Sequence, residues 1–329
     1  MGKRTKNLSG LSHLAKHVFQ ENVAADPPHN PSPVSQHERD DLRQPITAKQ
    51  KTRGAAKPRK VGLLGADWST FDASGLVPHY KNASEVPSHL QKYFSQRKRY
   101  FTLYDQGCLL DEEGWYSVTP ELIADQTAER CRCDTILDAF CGVGGNAIAF
   151  AKTCERVIAL DISPLRLALA RHNAVIYGVA DRIEFILADY VSFANAYLSR
   201  PQEKRPIDVV FLSPPWGGPD YISQNSDQCT GNQSDSPERH PEFSLADINP
   251  IHGADLFHLT RKITKNVAYF LPRNASLDEI SGLLLDGSSL LSNQDPEERV
   301  EVEEQWMGTK LKVLTCYFGG LAAGQQHLF

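Results

Sequence analysis

The segment Ser213-Pro214-Pro215-Trp216-Gly217-Gly218-Pro219-Asp220-Tyr221 carries the residue types that grip a planar, polar ring. Two prolines fix φ and have no N–H, so the Pro214 carbonyl is an acceptor held in one direction. Trp216 adds a large π-face, and the glycines after it let a partner approach the backbone closely. A rigid acceptor beside an aromatic platform suits a planar base whose exocyclic amine is to react. A Pro-rich turn with a core Trp is the plain structural alternative. The turn follows the apolar run Ile207-Asp208-Val209-Val210-Phe211-Leu212, which reads as a buried strand of a parallel sheet.

Three carboxylates stand at the ends of earlier runs of the same kind: Asp138, Asp161 and Asp189. Asp161 comes 23 residues after Asp138, close to the ~20-residue spacing at which an acid reaches ribose hydroxyls in nucleoside-binding α/β folds. Between them lies a glycine-rich turn, Cys141-Gly142-Val143-Gly144-Gly145-Asn146. It lacks the third glycine of the dinucleotide fingerprint, and no Gly-Lys-Ser/Thr follows, so a pyrophosphate cradle is poorly supported. A nucleoside without phosphate fits better, and S-adenosylmethionine is the obvious one.

The elements that must position these groups alternate. Residues 135–140, 156–161, 182–189 and 207–212 read as strands, with helices opening at Ala147 and running from Pro164 to Tyr177. The alternation predicts an open, doubly wound α/β sheet whose ligands bind beyond the C-terminal strand ends. Residues 299–305 and 311–318 read as a closing strand pair.

Charge is unevenly distributed. The first 60 residues hold twelve Lys and Arg against five Asp and Glu, a net of +7, so the rest of a chain totalling −5 carries −12. That first stretch is poor in aromatics and reads as a mostly disordered tail ending in the basic run Lys51–Lys60. Its run resembles a nuclear-localisation or RNA-attracting patch, and equally a solvated one. Residues 86–104 have helical character, with Leu90, Tyr93, Phe94 and Phe101 on an apolar stripe and Lys92, Arg97, Lys98 and Arg99 interleaved. On an acidic body this is a candidate phosphate contact, with a solvated face as the alternative. Thr119-Pro120-Glu121 reads as a helix start with Thr119 at the N-cap. Seven scattered cysteines lack zinc-ligand spacing and read as reduced intracellular thiols. No secretory leader and no apolar run of membrane-spanning length are seen.

The segments Asp138–Asn146, Ser213–Tyr221 and Phe270-Leu271-Pro272-Arg273-Asn274 together resemble the signatures of the trimethylguanosine synthase family, which hypermethylates RNA caps. The resemblance runs from about Val86 to Gly320 and includes Glu113-Gly114-Trp115, Ser117–Glu121 and Lys310-Leu311-Lys312. It leaves out the first 60 residues, and Gln224–Glu242 looks like an insertion and a mobile loop. Beyond the basic tail over 1–60, it implies a helical extension over 61–133 that folds over the site and a Rossmann-like class I methyltransferase domain over 134–329, an α/β fold whose seven-stranded, mostly parallel sheet has one antiparallel edge.

The implied reaction is methyl transfer from S-adenosylmethionine, without a metal, to the exocyclic N2 of 7-methylguanosine caps, giving the 2,2,7-trimethyl form and S-adenosylhomocysteine. Family roles carry over to matching positions. Asp138, Gly142 and Gly144 line the cofactor site, Asp161 takes the ribose hydroxyls, Asp189 lies near the adenine, and Phe101 and Thr119 fold over the cofactor. Trp216 stacks on the methylated base, with Ser213 and Pro214 beside the amine. Lys92, Tyr221, Arg273 and Lys312 contact the cap triphosphate, Lys310 being an equal candidate to Lys312. Implied partners are capped small nuclear and nucleolar RNAs and small ribonucleoprotein proteins, for a monomer in the nucleus or nucleolus.

The residues bear on this independently. 7-Methylguanine is cationic, so stacking on Trp216 adds ~0.5–2 kcal/mol over plain guanine. The N2 lone pair is delocalised and weakly nucleophilic, so orientation and an acceptor at Ser213 or Pro214 supply most of the acceleration. No general base is expected. Asn173 reads as a packing or hydrogen-bonding residue, and His172 shows no metal spacing. Two alternatives stand: an amino-methyltransferase acting on rRNA guanine N2, adenine N6 or glutamine, where Asn or Asp with Tyr or Phe usually replace Ser213 and Trp216, and a catalytically idle cap-binding module.

Overall fold

The computed structural model describes residues 62–217, 242–285 and 298–322. The expected tail, Tyr221 and residues 224–241 of the expected insertion lie outside the described residues. Seven strands form one sheet in the order β3-β2-β1-β4-β5-β7-β6. They are β1 (Thr135–Asp138), β2 (Arg156–Asp161), β3 (Ile183–Leu187), β4 (Val209–Leu212), β5 (Val267–Pro272), β6 (Glu301–Met307) and β7 (Lys310–Phe318). Strands β1 to β5 run parallel. Every residue of β1, β4 and β5 is buried, as expected where helices cover both faces of a sheet.

The helices, in chain order, are α1 (Gln91–Phe94), α2 (Arg97–Tyr100), α3 (Glu112–Ser117), α4 (Glu121–Arg130), α5 (Gly145–Thr153), α6 (Pro164–Ile176), α7 (Tyr190–Leu198), α8 (Gly253–Arg261) and α9 (Leu277–Leu285). The chain winds outward from β1 to β3 on one side and from β4 to β5 on the other, so the order reverses between β1 and β4. Doubly wound sheets bind ligands at such a switch point, beyond the carboxyl ends of the strands.

Three local expectations are corrected. The antiparallel strand β7 is not the edge: it sits between β5 and β6, and β6 takes the edge. The helical stretch over 86–104 is broken into one-turn pieces separated at Gln96 and at Phe101, whose backbone is extended (φ −135°, ψ 112°). These breaks bring Leu90, Phe94, Phe101 and Tyr104 into one core, a burial that outweighs continuing a highly charged helix. Finally, α4 starts one residue late, with Pro120 at its N-cap. The Thr119 hydroxyl instead accepts a hydrogen bond from Asn146 Nδ2 at 3.0 Å.

The extension is fastened to the sheet domain by α4, which packs on α5, and by polar side chains of α6. Ser163 caps this helix, accepting from the Arg166 amide, and Pro164 fills its first turn. The buried Asn173 accepts from the Leu109 amide at 2.8 Å and donates to the carbonyls of Leu109 (2.9 Å) and Val143 (3.0 Å). His172 accepts at Nδ1 from the Ala73 amide and binds the Gly107 carbonyl through Nε2, so it is a neutral staple between chain segments. At the end of α6, the Tyr177 hydroxyl donates to Glu121, whose carboxylate also accepts from the Thr102 amide. Asn173 thus has the hydrogen-bonding role expected of it.

Losing the Asn173 amide strands three buried backbone groups. Asn173→Ala should lower the unfolding free energy by roughly 2–4 kcal/mol. Urea titration followed by tryptophan fluorescence measures this, and a loss below about 0.5 kcal/mol would contradict the assigned bridge.

Candidate active site

Strand β1 ends on Asp138 and turns into the glycine loop. Asp138 is fully buried, and neither carboxylate oxygen has a hydrogen-bond partner. Burial raises its pKa to about 7, and the nearby Asp161 adds to this, while the amides of Phe140 and Ala147 pull the other way without closing a hydrogen bond. A buried acid with open acceptor positions is built for a cationic or N–H-bearing ligand group. The loop beside it requires glycine: Gly144 has φ +91°, and a Cβ there would sit 3.0 Å from the Ala170 Cβ.

Asp161, at the end of β2, accepts from the Gly142 amide at 3.0 Å and from the Ser163 amide at 2.7 Å. Burial is the main reason its pKa is raised, and those amides oppose the shift. One carboxylate therefore ties the glycine loop to the start of α6. Asp189 follows β3 and caps α7, accepting from the Ser192 amide at 2.8 Å. Both acids stand where a nucleoside would meet the strand ends.

Across the switch point, Asp138 pairs in register with Phe211. The Ser213–Trp216 turn therefore begins one strand away from the buried acid, since β4 ends at Leu212. Ser213 Oγ lies 3.4 Å from the Phe140 carbonyl, Pro214 is buried, and Trp216 is half-buried. Trp216 stacks on Phe270 of β5, with centroids 5.6 Å apart and planes 27° apart. Phe270 packs on Phe211, and Phe211 on Phe150 of α5. This aromatic row fixes the Trp216 ring before any ligand arrives.

Further along the strand ends lie the cations. β5 and β7 pair as far as Pro272↔Val313, which sets Arg273 next to Lys312. The β6–β7 register passes from Gln305↔Val313 to Trp306↔Leu311, so Lys312 is the extra residue of a β-bulge, a device that re-aims a side chain. Burial lowers the Lys312 pKa, and the charges of Lys310, Arg99 and Arg273 lower it further. Among the described residues none of these four is in an ion pair.

The extension contributes unevenly. Phe101 is buried and lies 6.0 Å from the Tyr177 ring, while Thr119 braces the start of α5 through Asn146. Lys92 is exposed, its ammonium 4.8 Å from the Tyr93 centroid. Arg97 and Lys98 are both spent on Asp105, at 3.4 and 2.6 Å. Two positioning residues escape sequence reasoning. Arg166 on α6 pairs with Asp111 at 3.2 Å and with Glu113, clamping α3 beside the glycine loop. Phe270 backs Trp216. Phe270 lies in a quoted signature, but neither role has a local signal, because each is exerted through a residue distant in sequence.

The glycine loop, the three acids and the Ser213–Trp216 turn thus converge on one end of the sheet. A family model for RNA cap guanine-N2 methyltransferases matches residues 133–321, more than half the chain. The chain belongs to that family. A trimethylguanosine synthase of Schizosaccharomyces pombe is 38% identical over 60% of this chain and 76% of its own length. Its namesake from Saccharomyces cerevisiae is 33% identical over 70% of each chain. Among solved structures, a putative methyltransferase from Porphyromonas gingivalis W83 aligns with a TM-score of 0.43 and 12% identity, covering 73% of this chain and 54% of that one.

The enzyme is an S-adenosylmethionine-dependent methyltransferase acting at guanine N2 of RNA caps. S-adenosylmethionine supplies an electrophilic methyl group. The fit to this chain rests on the unpartnered buried carboxylate of Asp138, the close Gly144 cradle and Asp161, at the ends of β1 and β2. The donor is cationic, and a buried carboxylate with open acceptor positions complements such a charge.

The buried acid gives a pH signature. An unfolded aspartate titrates near ~3.9, whereas folded Asp138 does so at about 7. Between these values the folded protein holds a proton that the unfolded chain has lost. The group's stabilising contribution is therefore full at low pH and is lost as pH rises through 7. Asp138→Asn removes this dependence, so the ligand-free variant should gain roughly 2–4 kcal/mol on the parent between pH 4 and pH 8 while losing S-adenosylhomocysteine binding. Denaturant titrations at the two pH values decide it: an equal stability difference at both would show that Asp138 is ionised throughout.

Proposed function

We propose that the enzyme methylates N2 of 7-methylguanosine caps twice, giving 2,2,7-trimethylguanosine on small nuclear and nucleolar RNAs. The observation that carries this is the order of groups across the strand ends. From β3 to β7 they run Asp189, Asp161, Asp138, Ser213–Trp216, Arg273 and Lys312. Adenine, ribose, methionine, reacting amine, cap base and triphosphate would follow one another in the same order. Strands lie ~4.8 Å apart, so Asp138 and Lys312 are separated by about 14 Å of sheet, a span suited to a base plus its polyphosphate.

In this reading Asp138, Gly142 and Gly144 hold the methionine end, Asp161 the ribose and Asp189 the adenine edge, with Phe101 and Thr119 behind them. Trp216 takes the methylated base on the face turned away from Phe270. Ser213 and the Pro214 carbonyl accept from the amine and aim its lone pair at the methyl group. The N–C bond forms as the S–C bond breaks, and the resulting ammonium gives its proton to solvent. Lys92, Arg273 and Lys312 meet the triphosphate together with Tyr221. The bulged, half-buried Lys312 beside Arg273 favours it over Lys310 for this role. The enzyme acts as a nuclear monomer, alongside small ribonucleoprotein proteins, with the basic tail over 1–60, the extension over 61–133 and the transferase domain over 134–329 as its parts.

Mass spectrometry after incubation with S-adenosylmethionine and a 7-methylguanosine-capped dinucleotide should show two added methyl groups on the cap guanine. Label on uncapped RNA or on peptide instead would overturn the proposal. Trp216→Ala should weaken 7-methyl-GTP binding by roughly 1–3 kcal/mol. Fluorescence-independent titration by calorimetry measures it, and unchanged affinity would remove Trp216 from the cap site.

A further inference from the structure

We propose that Arg99 and Lys310 bind the phosphodiester backbone of the RNA just downstream of the cap. The inference rests on the cap-binding reading above and extends it from the cap to the RNA chain.

The argument begins with charge. The body of the chain beyond residue 60 carries −12, yet Arg99, Arg273, Lys310 and Lys312 stand close enough for three of them to depress the fourth. Clustered like charges destabilise the free protein, and among the described residues no acid pairs with any of them. The neighbouring Arg97 and Lys98 show the contrast, because both pair with Asp105. Arg99 makes only a long contact, 3.5 Å, to Gln96 Oε1.

Geometry then divides the cluster. Lys312 is half-buried at the bulge, beside Arg273 at the end of β5. Lys310 is exposed and opens β7 immediately after the turn at Gly308-Thr309, while Arg99 is exposed in the last turn of α2 on the extension. The inner pair, with Lys92, already matches the about three charges of a bridging triphosphate. Two outer cations remain, one at the start of β7 and one on the extension. The next anions along a capped RNA are its phosphodiesters. Backbone contacts of this kind add affinity without reading sequence, which suits an enzyme serving several RNAs.

The test compares a capped dinucleotide, which has no downstream phosphodiester, with a capped RNA of about ten nucleotides. In the full-length Arg99→Ala/Lys310→Ala enzyme, kcat/KM for the capped RNA should fall ~10-fold, and the slope of log KM against log salt should drop by about 1.4. Activity on the dinucleotide should stay within about twofold of the parent, and the melting temperature should not fall. Arg99→Glu/Lys310→Glu should deepen the loss on capped RNA alone. Equal losses on both substrates would assign these cations to the triphosphate and overturn the inference, as would no loss on either. If the parent enzyme methylates neither substrate, the cap-binding reading itself fails, a result visible before any variant is made.

Discussion

The Asn173 side chain spends its oxygen and its amide on the backbone at Leu109 and Val143, and so joins two segments far apart in sequence. Leu109 belongs to the extension and Val143 to the glycine loop. Because Asn173 sits on α6, whose first turn is tied through Ser163 to Asp161, the loop, the second acid and the extension move as one body. A fully satisfied buried amide of this type specifies one arrangement, since every alternative leaves backbone groups unpaired in a dry environment. The walls of the site depend on it. Arg166 with Asp111, and Tyr177 with Glu121, repeat the same tie at either end of the helix.

From that frame the sheet does the sorting. Parallel strands deliver their carboxyl ends to one side, so a single strand-to-strand step exchanges one chemistry for the next. Acids follow β1, β2 and β3, an aromatic turn follows β4, and cations follow β5 and open β7. Placing the antiparallel β7 between β5 and β6 matters here. Only an antiparallel strand brings its N-terminal residues to the side where the parallel strands end, and that is how Lys310 and Lys312 come level with Arg273.

Much of this was legible in the sequence. The alternating apolar runs located β1, β2, β3 and β4 to within a few residues, and the acids stand at the carboxyl ends of β1, β2 and β3 as expected. What was not legible came from tertiary packing. The aromatic spacing over 86–104 suits a helix, yet Phe94, Phe101 and Tyr104 share one core only because the helix breaks. Thr119 has the composition of an N-cap, yet its hydroxyl is claimed by Asn146 across the interface. The backing of Trp216 by Phe270 and the bulge at Lys312 depend on strand register, which no local pattern in the chain encodes.

The two ends of the site are strained in opposite electrostatic senses. At one end, burial pushes the Asp138 acid up to about 7, towards its neutral form. At the other, burial and like charges push Lys312 down towards its own neutral form. Each shift costs folding free energy in the ligand-free protein. A cationic donor against Asp138 and a polyanionic substrate against Lys312 would relieve both, returning that energy as affinity. The pattern of perturbed groups thus runs parallel to the charge pattern of the two ligands, positive at the methyl donor and negative at the phosphates. A chain selected only for stability would have no reason to bury Asp138 without a partner or to set Lys312 among like charges.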